Sequence, residues 1–200
     1  MFTVLAGLWK IPERKPIQPD VIVAIGYGIL GNGKLADGTA AGIVLSAQLA
    51  KETFPDAYLA FANSIHCFAG CEQIELEGKR RLIAEEGIPP GRVLSGKGIT
   101  NTVTEAQSIW HALQSNGIVP SEIVLVADDL HGRSLTRVWE DTFPDVRISL
   151  VYNGAHAYQP DAVFPLQRSN WAWLRANVLR QMALRILGTD WVARRQHVPT

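Results

Sequence analysis

The chain has 200 residues, 47% of them apolar, and its 19 basic and 19 acidic side chains balance. That length fits one domain with a sizeable core, and a zero balance gives no general attraction to nucleic acid or to an anionic surface. Two cysteines, Cys67 and Cys71, cannot form a disulfide framework, and they lack the companion ligands of a zinc site.

The opening segment from Met1 to Trp9 is apolar. It is too short to span a bilayer, which needs about 20 apolar residues. It also lacks the basic stretch of a signal peptide. It reads as an edge strand packed on the domain of a cytoplasmic protein, with Trp9 the residue suited to touch a membrane surface. Pro19-Asp20 then lead into the apolar run Val21 to Ile25, a buried strand of a parallel sheet. Gly26, Gly28, Gly31 and Gly33 break that run. A helical pattern follows from Thr39 to Phe54, with Asp37 or Thr39 placed to cap it.

Tyr58 to Ala62 is the second strand, and Asn63-Ser64-Ile65-His66 its carboxyl-end loop. Glu72 to Glu86 is a helix closed by Gly87, with Glu75 and Lys79 one turn apart on its surface. Arg92 to Ser95 is a short third strand, and Gly96 to Asn101 the loop after it. Thr102 to Ser115 is a helix. Glu122 to Ala127 is the fourth strand, followed by a helix that turns Leu135, Val138 and Trp139 toward the sheet. Val146 to Tyr152 is the fifth strand. The last helix runs from about Ser169 to Leu187, with Trp171, Leu174, Val178, Met182 and Ile186 as its docking stripe on the sheet. Arg175, Arg180 and Arg185 lie off that stripe and read as solvated.

Strand and helix alternate throughout, which predicts a Rossmann-like three-layer αβα sandwich in one domain. The sheet is mostly parallel, with about five strands. Right-handed crossovers place every strand-to-helix loop on one edge. That edge collects Gly26, Gly28, Asn63, Ser64, His66, Lys97, Thr100, Asn101, Thr102, Glu105, Asp128, Asp129, His131, Arg133, Ser134, Asn153 and His156.

Gly26-x-Gly28-x-x-Gly31 matches the dinucleotide fingerprint in letters. The mechanism behind that fingerprint is missing. The helix starts only near Thr39, and the second strand ends in Asn63 rather than an acid that would hold a ribose. The glycines instead form a loop beside an anionic or nucleotide-like ligand. Thr102 with Glu105 has capping-box spacing. The same helix start offers an anion site, with Glu105 as an orienting group or base. Asp128 to Ser134 is the most chemical stretch: His131 exchanges protons near neutral pH, and Arg133 clamps a phosphate or carboxylate. No Gly-x-Ser-x-Gly elbow and no Walker-type loop is present.

Three segments together resemble the YdcF/SanA/ElyC-like family, the domain of unknown function numbered 218. They are Asp20 to Gly28, Thr100-Asn101-Thr102-Val103-Thr104-Glu105-Ala106, and Leu130-His131-Gly132-Arg133-Ser134. The likeness spans about Asp20 to Tyr152. This chain departs from the family in having Asn63-Ser64-Ile65 where a Ser-Gly-Gly turn is common. It also has Ile99 in place of a serine, and His131 and Arg133 two apart rather than three. The resemblance implies a Rossmann-like domain and, for some members, a part in bacterial envelope biogenesis. It also implies a nucleotide-type ligand such as S-adenosylmethionine, with no metal predicted.

Three expectations follow. The first is a domain binding a nucleotide-like or phosphorylated small molecule, with or without turnover. In it Gly26, Gly28, Asn63, Ser64, Asn101, Thr102, Arg133 and Ser134 bind ligand, while His131, Asp129 and Glu105 are the catalytic candidates. The second is a methyltransferase-like use of the glycine loop, and the third a non-catalytic scaffold. The sequence leaves the oligomeric state open.

Overall fold

The structure, a computed structural model, describes residues 2–65, 71–155, 158–189 and 191. His66, Cys67 and His156 therefore lie outside the described residues.

Five strands form one parallel sheet: β1 (Val21–Ala24), β2 (Tyr58–Ser64), β3 (Val93–Ile99), β4 (Glu122–Ala127) and β5 (Arg147–Tyr152). Their spatial order is β3-β2-β1-β4-β5. The helices are α1 (Phe2–Trp9), α2 (Asp37–Gln48, continued by a π turn over Leu49–Thr53), α3 (Cys71–Glu85), α4 (Thr102–Ser115), α5 (Gly132–Thr142) and α6 (Asn170–Leu187). This is the expected three-layer αβα sandwich with a C-terminal helix.

Alternate residues of each strand feed opposite faces. Ile22, Ala24, Leu59, Phe61, Val124 and Val126 pack with Ile43 and Ala47 of α2 and Ile83 of α3. Val21, Val23, Ala60, Leu125 and Ala127 pack under α4 and α5, through Val103, Ile109, Leu135, Val138 and Trp139. With both faces covered, β1 is buried along its whole length, as its unbroken apolar run predicted.

Four sequence expectations change. First, the opening segment is a helix rather than an edge strand. Its Ala6 is buried, Phe2 meets Trp171 edge-on at 5.1 Å, and the Trp9 indole donates to the Leu130 carbonyl at 2.7 Å. The segment after α1 meets the free side of β5 through an antiparallel bridge, Arg14 to Leu150, and through Glu13, which accepts from the Tyr152 N–H.

Second, β3 runs on through Gly96 to Ile99, because β2 pairs with it that far. The glycine lets α4 come close: a Cβ on Gly96 would lie 2.6 Å from the Ser108 hydroxyl.

Third, Glu75 and Lys79 are not on the surface. Both side chains are fully buried and paired at 2.7 Å.

Fourth, α6 docks on α5 through Trp173, Leu174, Asn177, Gln181 and Leu184. Of the expected stripe Leu174 is buried, Trp171 and Val178 are half-buried against the core, and Met182 and Ile186 are exposed. The next helix cap also differs from expectation, and that cap belongs to the site.

Candidate functional site

Strand order reverses direction between β1 and β4, because the chain runs outward from β1 to β2 and β3 and then returns to β4 and β5. Ligands of open α/β sheets bind outside the carboxyl ends of the strands at such a point. A cleft of about 140 Å³ opens there. Its walls come from the loop after β1, the start of α4, the turn after β4, the segment before α6, and α6 itself.

The loop after β1 is shaped by its glycines. Gly28 sits at φ +75°, a left-handed conformation that glycine adopts without steric cost. Its carbonyl accepts from the Thr39 hydroxyl and the Ala36 N–H, and Thr39 in turn accepts from the Tyr27 N–H at 2.9 Å. Thr39 thus secures the loop instead of capping α2. Helix α2 begins after Ala36, which makes no side-chain cap. Gly26 serves a different need. A Cβ on it would lie 2.9 Å from the Lys79 ammonium. Only a residue without a side chain leaves room for the buried Glu75–Lys79 pair beneath the loop.

Helix α4 is capped by Asn101. Its side-chain oxygen accepts from the Val103 and Thr104 N–H groups, and the Thr104 hydroxyl accepts from the Asn101 N–H at 3.0 Å. The box is Asn101 with Thr104, not Thr102 with Glu105. That releases Thr102 and Glu105 to face the cleft. Replacing Asn101 with alanine is expected to cost about 1 kcal/mol of stability through the lost cap, which a urea titration would measure.

Glu105 is buried, and one carboxylate oxygen accepts from the Gly26 N–H at 3.2 Å. Burial pushes its carboxyl up to about 7, with the Gly26 hydrogen bond and Lys79 opposing that rise. A buried carboxyl that titrates near neutrality is equipped to give or take a proton.

His131 is also buried. Its Nε2 lies 3.0 Å from Arg180 Nη1 and 3.1 Å from the Thr102 hydroxyl. A guanidinium can only donate, so Nε2 accepts and the proton resides on Nδ1, a tautomer assigned from these contacts. Burial, then the Arg180 charge, hold His131 well below its ordinary value. It is a neutral ring set edge-on to Tyr27 and Trp173. Trp173 is aligned by its indole N–H donating to Asp128 at 3.1 Å. The Tyr27 hydroxyl accepts from the Asp128 N–H at 2.7 Å, and burial raises its phenol well above the ordinary value.

Arg180 is the residue that sequence reasoning missed. Its guanidinium lines the cleft, bonds His131 and Asn177 Oδ1, and lies 5.9 Å from the Trp173 ring centroid. Among the described residues it pairs with no carboxylate. A signal was present. Trp173, Asn177, Gln181 and Leu184 share helical spacing with Arg180 beside them, and two amides in a stripe of buried size announce polar partners.

Of the expected site residues, the structure gathers Gly26, Gly28, Ser64, Asn101, Thr102, Glu105 and His131 around this cleft. Asn63, Asp129, Arg133 and Ser134 do not line it. The Asn63 amide is buried and donates to the Gly96 carbonyl. Asp129 points the other way and pairs with Lys10. Arg133 donates to the Trp9 carbonyl at 2.9 Å and stacks over the Trp9 ring. Ser134 is buried one turn into α5 and donates to Asn177. For Arg133 and Ser134 the reason is geometric: His131 precedes α5, and the helix turns about 100° per residue, which carries both side chains off the cleft side. Among the described residues no group of acids, histidines and cysteines is placed to hold a metal ion.

No family model and no curated protein matches the chain. Among solved structures, one similar chain is the crystal structure of a universal stress protein in complex with cAMP. The two align at a TM-score of 0.40 with 13% identity, over 70% of this chain and 99% of that one.

Proposed function

We propose that the cleft binds a small anionic molecule, nucleotide-like or phosphorylated, in a domain of the YdcF/SanA/ElyC type. One observation carries the reading: the Arg180 guanidinium faces the cleft and has no carboxylate partner among the described residues. Glu105 acts on it only from a distance, and a partly buried cation with no contacting anion is costly unless one completes it. Asn101 and Thr102 at the start of α4, with Ser64, add polar groups on the same wall. Ile29, Ile99 and Phe164 supply an apolar side for a ring or chain.

Arg180 takes the clamping role expected of Arg133, and Glu105, itself a candidate base, takes the proton exchange expected of His131 with Asp129. Neutral His131 positions Arg180. The family assignment, and the envelope role that comes with it, rest on the segments around Asp20–Gly28, Thr100–Ala106 and Leu130–Ser134. The methyltransferase-like alternative finds no acid at the end of β2, where the buried Asn63 is bonded to Gly96.

Calorimetric titration with adenine nucleotides, sugar phosphates and S-adenosylmethionine tests the reading. A phosphorylated ligand is expected to bind, and Arg180→Met is expected to weaken it about 10- to 100-fold, the worth of a charge-assisted hydrogen bond. Equal affinity for both proteins would remove Arg180 from the site. If S-adenosylmethionine alone bound, the methyltransferase-like alternative would take its place.

A further inference from the structure

Two residues of the α6 stripe expected to dock on the sheet, Met182 and Ile186, are exposed, and they are not alone. Leu179 is 65% exposed and Ile186 75%, and Met182 lies between them on the same helical face. Helix α1 lies alongside with its own apolar face outward, Leu8 being 74% exposed. Between the helices runs an apolar groove of about 520 Å³, lined by Leu5, Leu8, Trp171, Val178 and Leu179, with Arg175 on its wall. Soluble monomers rarely expose a contiguous apolar patch of this kind without a use for it.

Two features point to the occupant. The first is order. Phe2 is held on Trp171, and Trp9 is held by the Leu130 carbonyl and the Arg133 guanidinium. The ends of α1 are therefore tied to the body, and Val4, Leu5 and Leu8 are presented outward as a fixed surface. The second is charge. Neither α1 nor α6 contains an acidic residue, whereas α6 carries Arg175, Arg180 and Arg185. Arg180 turns into the cleft; Arg175 and Arg185 are exposed and pair with no acid among the described residues. A second copy placed face to face would set arginines together with no acid to meet them. An apolar face with only positive charge complements a surface that is apolar inside and anionic at its rim.

We infer that the α1–α6 face seats the protein on the surface of an anionic lipid bilayer. Leu5, Leu8, Leu179, Met182 and Ile186 enter the headgroup–acyl boundary, and Arg175 and Arg185 meet lipid phosphates. Because α6 also supplies Arg180 to the cleft, seating places the cleft beside the membrane surface. The inference rests on residues other than those of the proposed ligand site, so either can fail alone.

The test is co-sedimentation with vesicles of phosphatidylcholine alone and of phosphatidylcholine mixed with phosphatidylglycerol. The chain is expected to partition onto the mixed vesicles, less at high salt, and weakly onto the neutral ones. Leu8→Glu with Leu179→Glu is expected to lower partitioning about tenfold or more. Both side chains are exposed, so the variant keeps its fold, which a thermal melt would verify. Arg175→Gln is expected to lower it about fivefold on the mixed vesicles only. Absence of partitioning onto mixed vesicles would overturn the inference. So would partitioning indifferent to the double change. A concentration-dependent dimer dispersed by Leu179→Glu would overturn it too, assigning the face to a second copy.

Discussion

Lys79→Met is expected to lower the free energy of unfolding by about 3–5 kcal/mol, the cost of leaving one partner of a buried ion pair without its counter-charge. The ammonium and the Glu75 carboxylate are 2.7 Å apart with neither side chain exposed. Lys79 also donates to the Ala62 carbonyl at 2.5 Å and lies 5.6 Å from the Phe61 ring centroid, while Glu75 accepts from the Ser64 N–H at 2.9 Å. The pair ties the carboxyl end of β2 to α3 directly beneath Gly26. Removing the lysine alone strands a buried carboxylate. Removing both charges, as Glu75→Leu with Lys79→Met, is expected to recover part of the loss, because no charge is then left unpaired; the Ala62 carbonyl and the Ser64 N–H, deprived of their partners, retain the remainder. Urea unfolding of the single and double variants measures both quantities. A single change costing under about 1 kcal/mol, the value of a surface pair, would mean that water reaches this one.

The second large effect is expected to be a gain. Glu105→Gln is expected to stabilise the protein by about 3 kcal/mol at pH 8, the equivalent of a carboxyl raised from 4.5 to about 7 on folding. The folded protein holds this proton more tightly than the unfolded chain does. The destabilisation is therefore absent below pH 4.5, grows as pH rises toward about 7, and is complete above it. Glutamine keeps an oxygen for the Gly26 N–H without carrying charge. His131, held below its ordinary value, contributes with the opposite sign: its part is present above 6.5 and is lost as pH falls. That part is common to both proteins, so the difference between their stability profiles isolates Glu105. Equal stabilities at pH 5 and pH 8 would show a solvated carboxyl. A buried acid retained at such a cost points to use, and the same variant asks whether any turnover of a bound ligand depends on this proton.

The two predictions involve residues that sequence reasoning treated unequally. Glu105 was marked by its place one turn into α4 on the loop-bearing edge, and that place survives although the capping box assigned to it does not. Asn101 has the better geometry for the cap: its short side chain reaches two N–H groups, and Thr104 returns the bond. By spacing alone Glu75 and Lys79 form a surface pair like countless solvated ones. Nothing local distinguishes a buried pair from an exposed one. The distinguishing fact is Gly26, some fifty residues earlier in the chain, whose missing Cβ makes the space.

The exchange of Arg133 for Arg180 has a similar origin. Arg133 stands beside His131 in sequence, but one helical step carries it to the Trp9 side of α5. Arg180 stands far away in sequence, yet α6 crosses the cleft and brings its guanidinium to 3.0 Å from His131.

The places of the five sheet strands, their parallel arrangement and the edge that bears the cleft were determined by the sequence alone, although the extension of β3 to Ile99 was not. These depend on local signals: unbroken apolar runs, glycines that end them, and the alternation of strand with helix. Only the tertiary structure decided which side of α6 is buried, that α1 is a helix, and where the two charges of α3 lie. Helix α6 carries large apolar residues around most of its circumference, including Trp171, Trp173, Leu174, Val178, Leu179, Met182 and Leu184. Periodicity there offers more than one face. The choice belongs to α5 and to the cleft, which accept Trp173, Asn177 and Arg180 and leave Leu179, Met182 and Ile186 outside.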